Sequence, residues 1–226
     1  MAIVITGASR GIGAGLHAAY AARGQTVIGT IRSGEDETGA LDEAQNGAWR
    51  SLDVTDPESV ARFAEGLDSV PVGLLVCNAG VYPDKGMKLA DDYPAAIWAD
   101  AFATNVTGVF LVIQALLPNL QMAETPRIAI LSTHMASTLR APGGSYVYRA
   151  SKAAALNLGR NLATDLAPLG IAVGIYHPGW VLTEMGGPNA ELTVEQSVAG
   201  LLERFEALTP ETSGVFETWK GEPLDV

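Results

Sequence analysis

The sequence holds a single cysteine, Cys77, so no disulfide can close within the chain, and a reducing compartment such as the cytoplasm suits it. Cys77 lies in the apolar run 72–77, where a thiol serves better as a small buried hydrophobe than as a nucleophile. Histidines number three, none paired at metal-ligand spacing, so no metal is expected. Positive charge is scarce: 14 Lys and Arg against 25 Asp and Glu leave a net charge of −11, which argues against nucleic acid and anionic membranes as partners. No charged-then-apolar leader precedes the first strand, and no apolar run is expected to span a bilayer. Repeats and low-complexity linkers are missing too, because the 25 glycines and 12 prolines are scattered along the chain.

What remains is a chain of 226 residues, 48% hydrophobic, enough for the core of one domain over 1–226. Short apolar, β-branched runs alternate with helix-forming stretches. Strands are predicted at 2–6, 26–31, 48–52, 72–77, 127–132, 171–176 and 214–218; helices at 11–23, 56–67, 94–121 (broken), 147–167 and 193–207. Asp56 followed by Pro57 predicts an N-cap and first helical residue. The most polar stretch, 33–46, reads as a surface connection. Such alternation implies an α/β fold, a Rossmann-type doubly wound parallel sheet with helices on both faces. Ligands then bind beyond the C-terminal strand ends, so strand ends are where chemistry is sought.

After the first strand comes Thr6-Gly7-Ala8-Ser9-Arg10-Gly11-Ile12-Gly13, running into a helix. Bare glycines let a pyrophosphate approach the backbone, and a helix start offers free N–H groups. The second strand ends on Ile31 and Arg32, with no carboxylate to take a ribose 2′-hydroxyl, although Glu35, Asp36 and Glu37 follow in the loop. Arg32, with Arg10, suits a 2′-phosphate, because a guanidinium presents its donors as a fixed fork; NADP(H) is therefore favoured over NAD(H). Asp53-Val54 after the third strand is placed to meet an adenine. Asn78-Ala79-Gly80, Ser132-Thr133-His134 and His177-Pro178-Gly179-Trp180-Val181-Leu182-Thr183 follow the fourth, fifth and sixth. Tyr148 and Lys152 stand four apart at the start of a strong helix, so they share a face, and an ammonium there favours the phenolate.

Taken in order, these residues resemble the short-chain dehydrogenase/reductase family over nearly the whole chain, and the 148–154 context is similar to its C-factor-like branch. The resemblance implies that Gly7, Ser9, Arg10, Gly11, Ile12 and Gly13 form the cofactor turn. Asn78, Ala79 and Gly80 correspond to the family's Asn-Asn-Ala-Gly, with Cys77 replacing its first Asn. It further implies that Pro178, Gly179, Val181 and Thr183 hold the nicotinamide, and that Tyr148 is the acid/base. Lys152 lowers the Tyr148 pKa and holds ribose hydroxyls, and Asn105 orders a water behind Lys152. The family's catalytic serine is the second of a pair; here the pair is Ser132-Thr133, so alignment favours Thr133, with Ser132 the alternative. The interval from Thr133 to Tyr148 is longer than usual, placing extra residues in 136–145. The expected activity is reversible hydride transfer between NADP(H) and a carbonyl or secondary alcohol, in a homodimer or homotetramer paired through the helices at 94–121 and 147–167. A catalytically silent NADP-binding sensor is the alternative, and a nucleotide-sugar epimerase is disfavoured by the short region after 193. Substrate contacts are expected from 82–93, 135–145 and a loop and helix region at about 181–207, with Trp180, Met185 and His134 as pocket candidates by position.

Overall fold

The run Ala2–Ile5 forms β1 in the interior of the sheet because every side chain in it is apolar and both faces are covered. In the computed structural model, which describes residues 1–32 and 47–226, β1 is followed by α1 (Gly11–Ala22), β2 (Val27–Ile31) and β3 (Gly47–Ser51). Next come α2 (Pro57–Glu65), β4 (Val72–Cys77), α3 (Ala95–Phe102), a π turn at Ala103–Thr107, α4 (Gly108–Ala115) and α5 (Leu117–Gln121). The chain closes with β5 (Arg127–Leu131), α6 (Tyr146–Leu166), β6 (Ala172–His177), α7 (Val194–Ala207) and β7 (Phe216–Thr218). The seven strands are all parallel in the order β3-β2-β1-β4-β5-β6-β7. Strand order reverses between β1 and β4, and the crevice there is where such sheets bind ligands.

Alternation along the strands builds two cores. Val4, Ile28, Leu75, Ile128, Ile130 and Val173 point to the face covered by α2, α4 and α6. Ile3, Ile5, Val27, Val76, Leu131 and Tyr176 point to the face covered by α1 and α7. Cys77 belongs to the first core, and burial pushes its thiol up to about 12. Asp56 caps α2 by accepting from the Glu58 N–H at 3.0 Å, with Pro57 as first helical residue. Thr193 and Gln196 cap α7 reciprocally.

The expected helix at 94–121 divides into α3, the π turn, α4 and α5, with Pro118 in the first turn of α5. The break has a local cause at Asn105, whose side chain bonds outside the helix (below). One expectation is corrected here. Ala95–Ala115 is a 21-residue helical stretch whose most apolar 18 residues have a mean hydropathy of 1.6, long and apolar enough by composition to cross a bilayer. It packs against α2 and α6 and leaves Phe110 at 39% exposure. The polar stretch 33–46, with Glu35, Asp36 and Glu37, lies outside the described residues.

Candidate active site

The glycine turn is stitched to the end of β4. Thr6 Oγ1 accepts the backbone N–H groups of Asn78 and Ala79, each at 3.0 Å. Both side-chain donor bonds of Asn78 run to carbonyls, Thr6 O at 2.9 Å and Gly7 O at 2.8 Å. Asn78 therefore shapes the turn through bonds that the sequence does not show. Gly13 is required by close approach, since a Cβ there would lie 2.5 Å from Asn78 Nδ2 and from Gly7 O. No side chain caps the start of α1, so no side chain takes its first N–H groups. That cradle fits a pyrophosphate. Thr183 comes up against the same turn, its Cγ2 3.2 Å from where a Gly11 Cβ would stand.

Where the adenosine is expected, Arg32 is exposed just past β2, and Val54 packs onto Gly108 at the start of α4. Asp53 accepts from Thr55 N–H at 2.9 Å and Thr55 Oγ1 at 2.7 Å; these bonds, more than the charge of Arg32, hold its carboxyl below the usual range. Arg10, expected to help with a phosphate, is ion-paired with Glu184 at 2.7 Å, both side chains being exposed.

The helix α6 carries Tyr148 in its first turn and Lys152 one turn later. Tyr148 is 8% exposed, its ring is stacked on Tyr82 at 4.0 Å, and its hydroxyl makes no hydrogen bond among the described residues. Lys152 Nζ lies 6.0 Å from the Tyr148 ring centre and donates to Leu131 O at 2.9 Å. Asn105, fully buried in the π turn, donates through Nδ2 to Val81 O (3.0 Å) and Ser151 Oγ (2.9 Å) and accepts the Val81 N–H at Oδ1 (2.9 Å). Gly80 sits between the two: a Cβ there would be 3.2 Å from Asn105 Oδ1 and 3.4 Å from Lys152 Nζ. Residues distant in sequence thus meet at one point of the rim. Ser132 Oγ donates to the α6 backbone at Lys152 O, 3.3 Å, inside the protein. Thr133 Oγ1 accepts the Met135 N–H at 3.2 Å, so its own proton is uncommitted.

The electrostatics depart from the sequence expectation. Burial, with Tyr82 beside it, pushes the Tyr148 phenol well above its ordinary value, and Lys152 points to a carbonyl instead of lowering it. Burial brings Lys152 itself down to about 8 from 10.5. The unfolded chain keeps that proton to higher pH than the folded one, so this group's contribution to stability rises with pH between the two values. At pH 7 the buried ammonium costs up to about 3 kcal/mol. Lys152→Met is therefore expected to be more stable than the wild type at pH 7, by about 1–3 kcal/mol in urea titrations, allowing for the donor that Leu131 O loses. The gap should narrow by about pH 9.5, and a gap independent of pH would contradict a depressed lysine. Burial raises Cys77 and Tyr148 far enough that both stay protonated in the folded protein up to about pH 9.5 with or without Lys152, so they cancel in the difference over this range.

Three neighbours were not visible in the sequence. Asp84, fully buried, accepts the N–H groups of Val147 (2.8 Å) and Tyr148 (3.2 Å). Lys85 donates to Met185 O (2.7 Å) and Gly186 O (3.1 Å), tying the 82–93 segment to the 182–192 loop. Tyr82 bonds Ser145 Oγ at 2.5 Å while stacking on Tyr148. Past β6, Pro178 O accepts from Ser197 Oγ at 2.7 Å, Val181 bridges to Leu192, and Gly179 has φ 88°. Trp180 and Met185 stand 47% and 41% exposed at this loop. No group of three or more His, Cys, Asp or Glu able to hold a metal occurs among the described residues.

Comparison with known proteins gives the family. Residues 1–192 match the family model for short chain dehydrogenases. The chain is 40% identical over 161 residues to the C-signal of Myxococcus xanthus, covering 70% of this chain and 95% of that one. It is 33% identical over 187 residues to the 3-oxoacyl-acyl-carrier-protein reductase of Escherichia coli, covering 80% and 74%. Among solved structures, an NADPH-bound carbonyl reductase from chicken fatty liver superposes with a TM-score of 0.88 at 29% identity, covering 100% of this chain and 98% of that one. The match over residues 1–192 and the 40% identity to the C-signal show that the chain belongs to the short-chain dehydrogenase/reductase family.

Proposed function

We propose that the chain catalyses reversible hydride transfer between NADP(H) and a carbonyl or secondary alcohol, with Tyr148 as general acid/base. The observation that carries this is the convergence of Tyr148, Lys152 and Asn105 on the rim that also holds the uncapped glycine turn. When bound, the nicotinamide supplies or accepts the hydride. Gly7, Ser9, Gly11, Ile12 and Gly13 would hold the pyrophosphate on backbone N–H groups, with Thr183 beside them. Pro178, Gly179 and Val181, braced by Ser197 and Leu192, would bound the nicotinamide end.

In reduction, Tyr148 gives its hydroxyl proton to the carbonyl oxygen as charge develops there. Thr133 donates its uncommitted proton to the same oxygen, whereas Ser132 is held on the α6 backbone. Lys152, buried one helical turn after Tyr148 and brought down to about 8, holds a proton near Tyr148. Asn105 fixes the 80–81 backbone beside the ammonium and stands where it would order a relay water. The carbonyl reductase fold and the ketone-reducing relative support the C=O/CH–OH class. The apolar outer side of α3–α4, with Phe110, supports pairing of two chains through this helix and α6.

Arg32 carries the cofactor preference. NADPH oxidation against a panel of aldehydes and ketones tests the reaction, and the same assay with NADH tests the preference. Arg32→Ala should raise the KM for NADPH about 10–100-fold, as loss of a guanidinium–phosphate contact does, while changing that for NADH less than about threefold. Equal losses with both cofactors would place Arg32 away from the phosphate.

A further inference from the structure

The extra residues between β5 and α6 border an open cleft with space of about 340 Å³, lined by His134, Arg140, Ala141, Pro142 and Arg149. Its walls carry positive charge. No carboxylate comes within 4.0 Å of either guanidinium among the described residues, in a chain whose net charge is −11. Arg149 is fixed in the wall, with Nη1 donating to Met135 O (3.3 Å) and Arg140 O (3.2 Å). Arg140 is exposed on the opposite segment.

The histidine supplies a donor of defined direction. The Gly179 N–H donates to His177 Nδ1 at 3.3 Å, so a neutral His177 carries its proton on Nε2. That Nε2 lies 2.9 Å from His134 Nδ1, which must then accept, leaving the His134 proton on its own Nε2. Burial and the neighbouring arginines hold His134 below its ordinary value, while burial, the His134 ring and Arg140 take His177 to about 3. Both rings are neutral at pH 7, and His134 offers an N–H that makes no hydrogen bond among the described residues.

We propose that this cleft binds an oxyanion, the carboxylate or phosphate end of the carbonyl substrate, through Arg140, Arg149 and His134. Two unpaired guanidiniums facing one small space repel each other, and an anion between them removes that cost while meeting their fork geometry. The cleft neighbours the proposed site along the chain, since His134 directly follows Thr133 and Arg149 directly follows Tyr148. At the small end of ligand-site volumes, the cleft fits a terminal acid group, not a whole cofactor. The inference rests on the reductase reading and narrows its substrates to carbonyl compounds bearing a terminal acid.

The test compares matched probes in NADPH oxidation: pyruvate and levulinate, each beside its methyl ester, and dihydroxyacetone phosphate beside dihydroxyacetone. At least one charged member should exceed its neutral partner roughly tenfold in kcat/KM, the worth of one charge-assisted hydrogen bond, and the winning pair tells carboxylate from phosphate. Arg140→Gln should cut that ratio about tenfold and Arg140→Lys should recover part of it. Neutral members matching charged ones, or a ratio unmoved by Arg140→Gln, overturns the proposal. Should neither these probes nor the wider panel of aldehydes and ketones be reduced, it is the reductase reading that fails. Anion binding is then decided by titrating the whole protein with levulinate and with inorganic phosphate while following the His134 ring by NMR. Movement in the wild type that Arg140→Gln abolishes supports the site, and a stationary His134 signal overturns it.

Discussion

Tyr148→Phe is expected to lower kcat by about 10³-fold, within the range by which a positioned acid/base accelerates proton transfer, while NADPH affinity changes only a few-fold. The substitution removes one oxygen from a ring whose position is set by the Tyr82 stack and the α6 backbone, so the fold has no reason to change. Because that hydroxyl has no hydrogen bond in the protein among the described residues, its loss orphans nothing. Single-turnover rates and cofactor fluorescence titrations separate chemistry from binding. Thr133→Val should fall in the same direction, by roughly 10²-fold, as removal of one donor to a developing oxyanion does, whereas Ser132→Ala should lose far less. Undiminished turnover in Tyr148→Phe would remove the assigned acid/base, and with it the proposed reaction.

Asp84→Ala is expected to carry the largest cost in stability for a residue outside the assigned chemistry. The N-cap of α6 is Ser145, in the left-handed region at φ 50°, and its side chain caps nothing. Asp84 supplies the cap from 63 residues away, its carboxylate accepting the Val147 and Tyr148 N–H groups in a fully buried site. An anion at a helix N-terminus also meets the positive end of the helix dipole. Truncation leaves two buried donors without acceptors, a loss of about 2–4 kcal/mol by urea unfolding. Asp84→Asn keeps an acceptor oxygen but loses the charge, and should fall between. Since one of the two amides belongs to Tyr148, kcat should drop more than KM rises in both variants. A loss below about 0.5 kcal/mol for Asp84→Ala would mean that water or another group caps α6.

The phenol and the lysine were both legible from their spacing, yet their electrical relation was not. Stacked on a helix face they suggest a cation acting on a phenol; in the folded protein Lys152 is drawn to Leu131 O at the end of β5, and burial raises the Tyr148 pKa. Desolvation depends on everything that covers a group, here Tyr82 and the 80–85 segment, which spacing on α6 cannot reveal. Arg10 makes the same point, since a phosphate-like position in the turn became an ion pair with Glu184 in a loop far along the chain. The long interval before Tyr148 showed that residues had been added, but not that they would form a cationic cleft against His134.

Local order alone determined much of this protein. The β1–glycine turn–α1 unit, the Asp56-Pro57 start of α2, the alternation that makes a parallel sheet and the shared face of Tyr148 and Lys152 all follow from interactions reaching only a few residues along the chain. Tertiary structure decided the rest: the π turn that accompanies the Asn105 bonds to Val81 and Ser151, the Asp84 cap on α6, the Lys85 tie to the 182–192 loop, and the His134–His177 pair. Each of these joins groups brought together only when the sheet closes, so their geometry is set by where whole elements pack and not by the residues on either side.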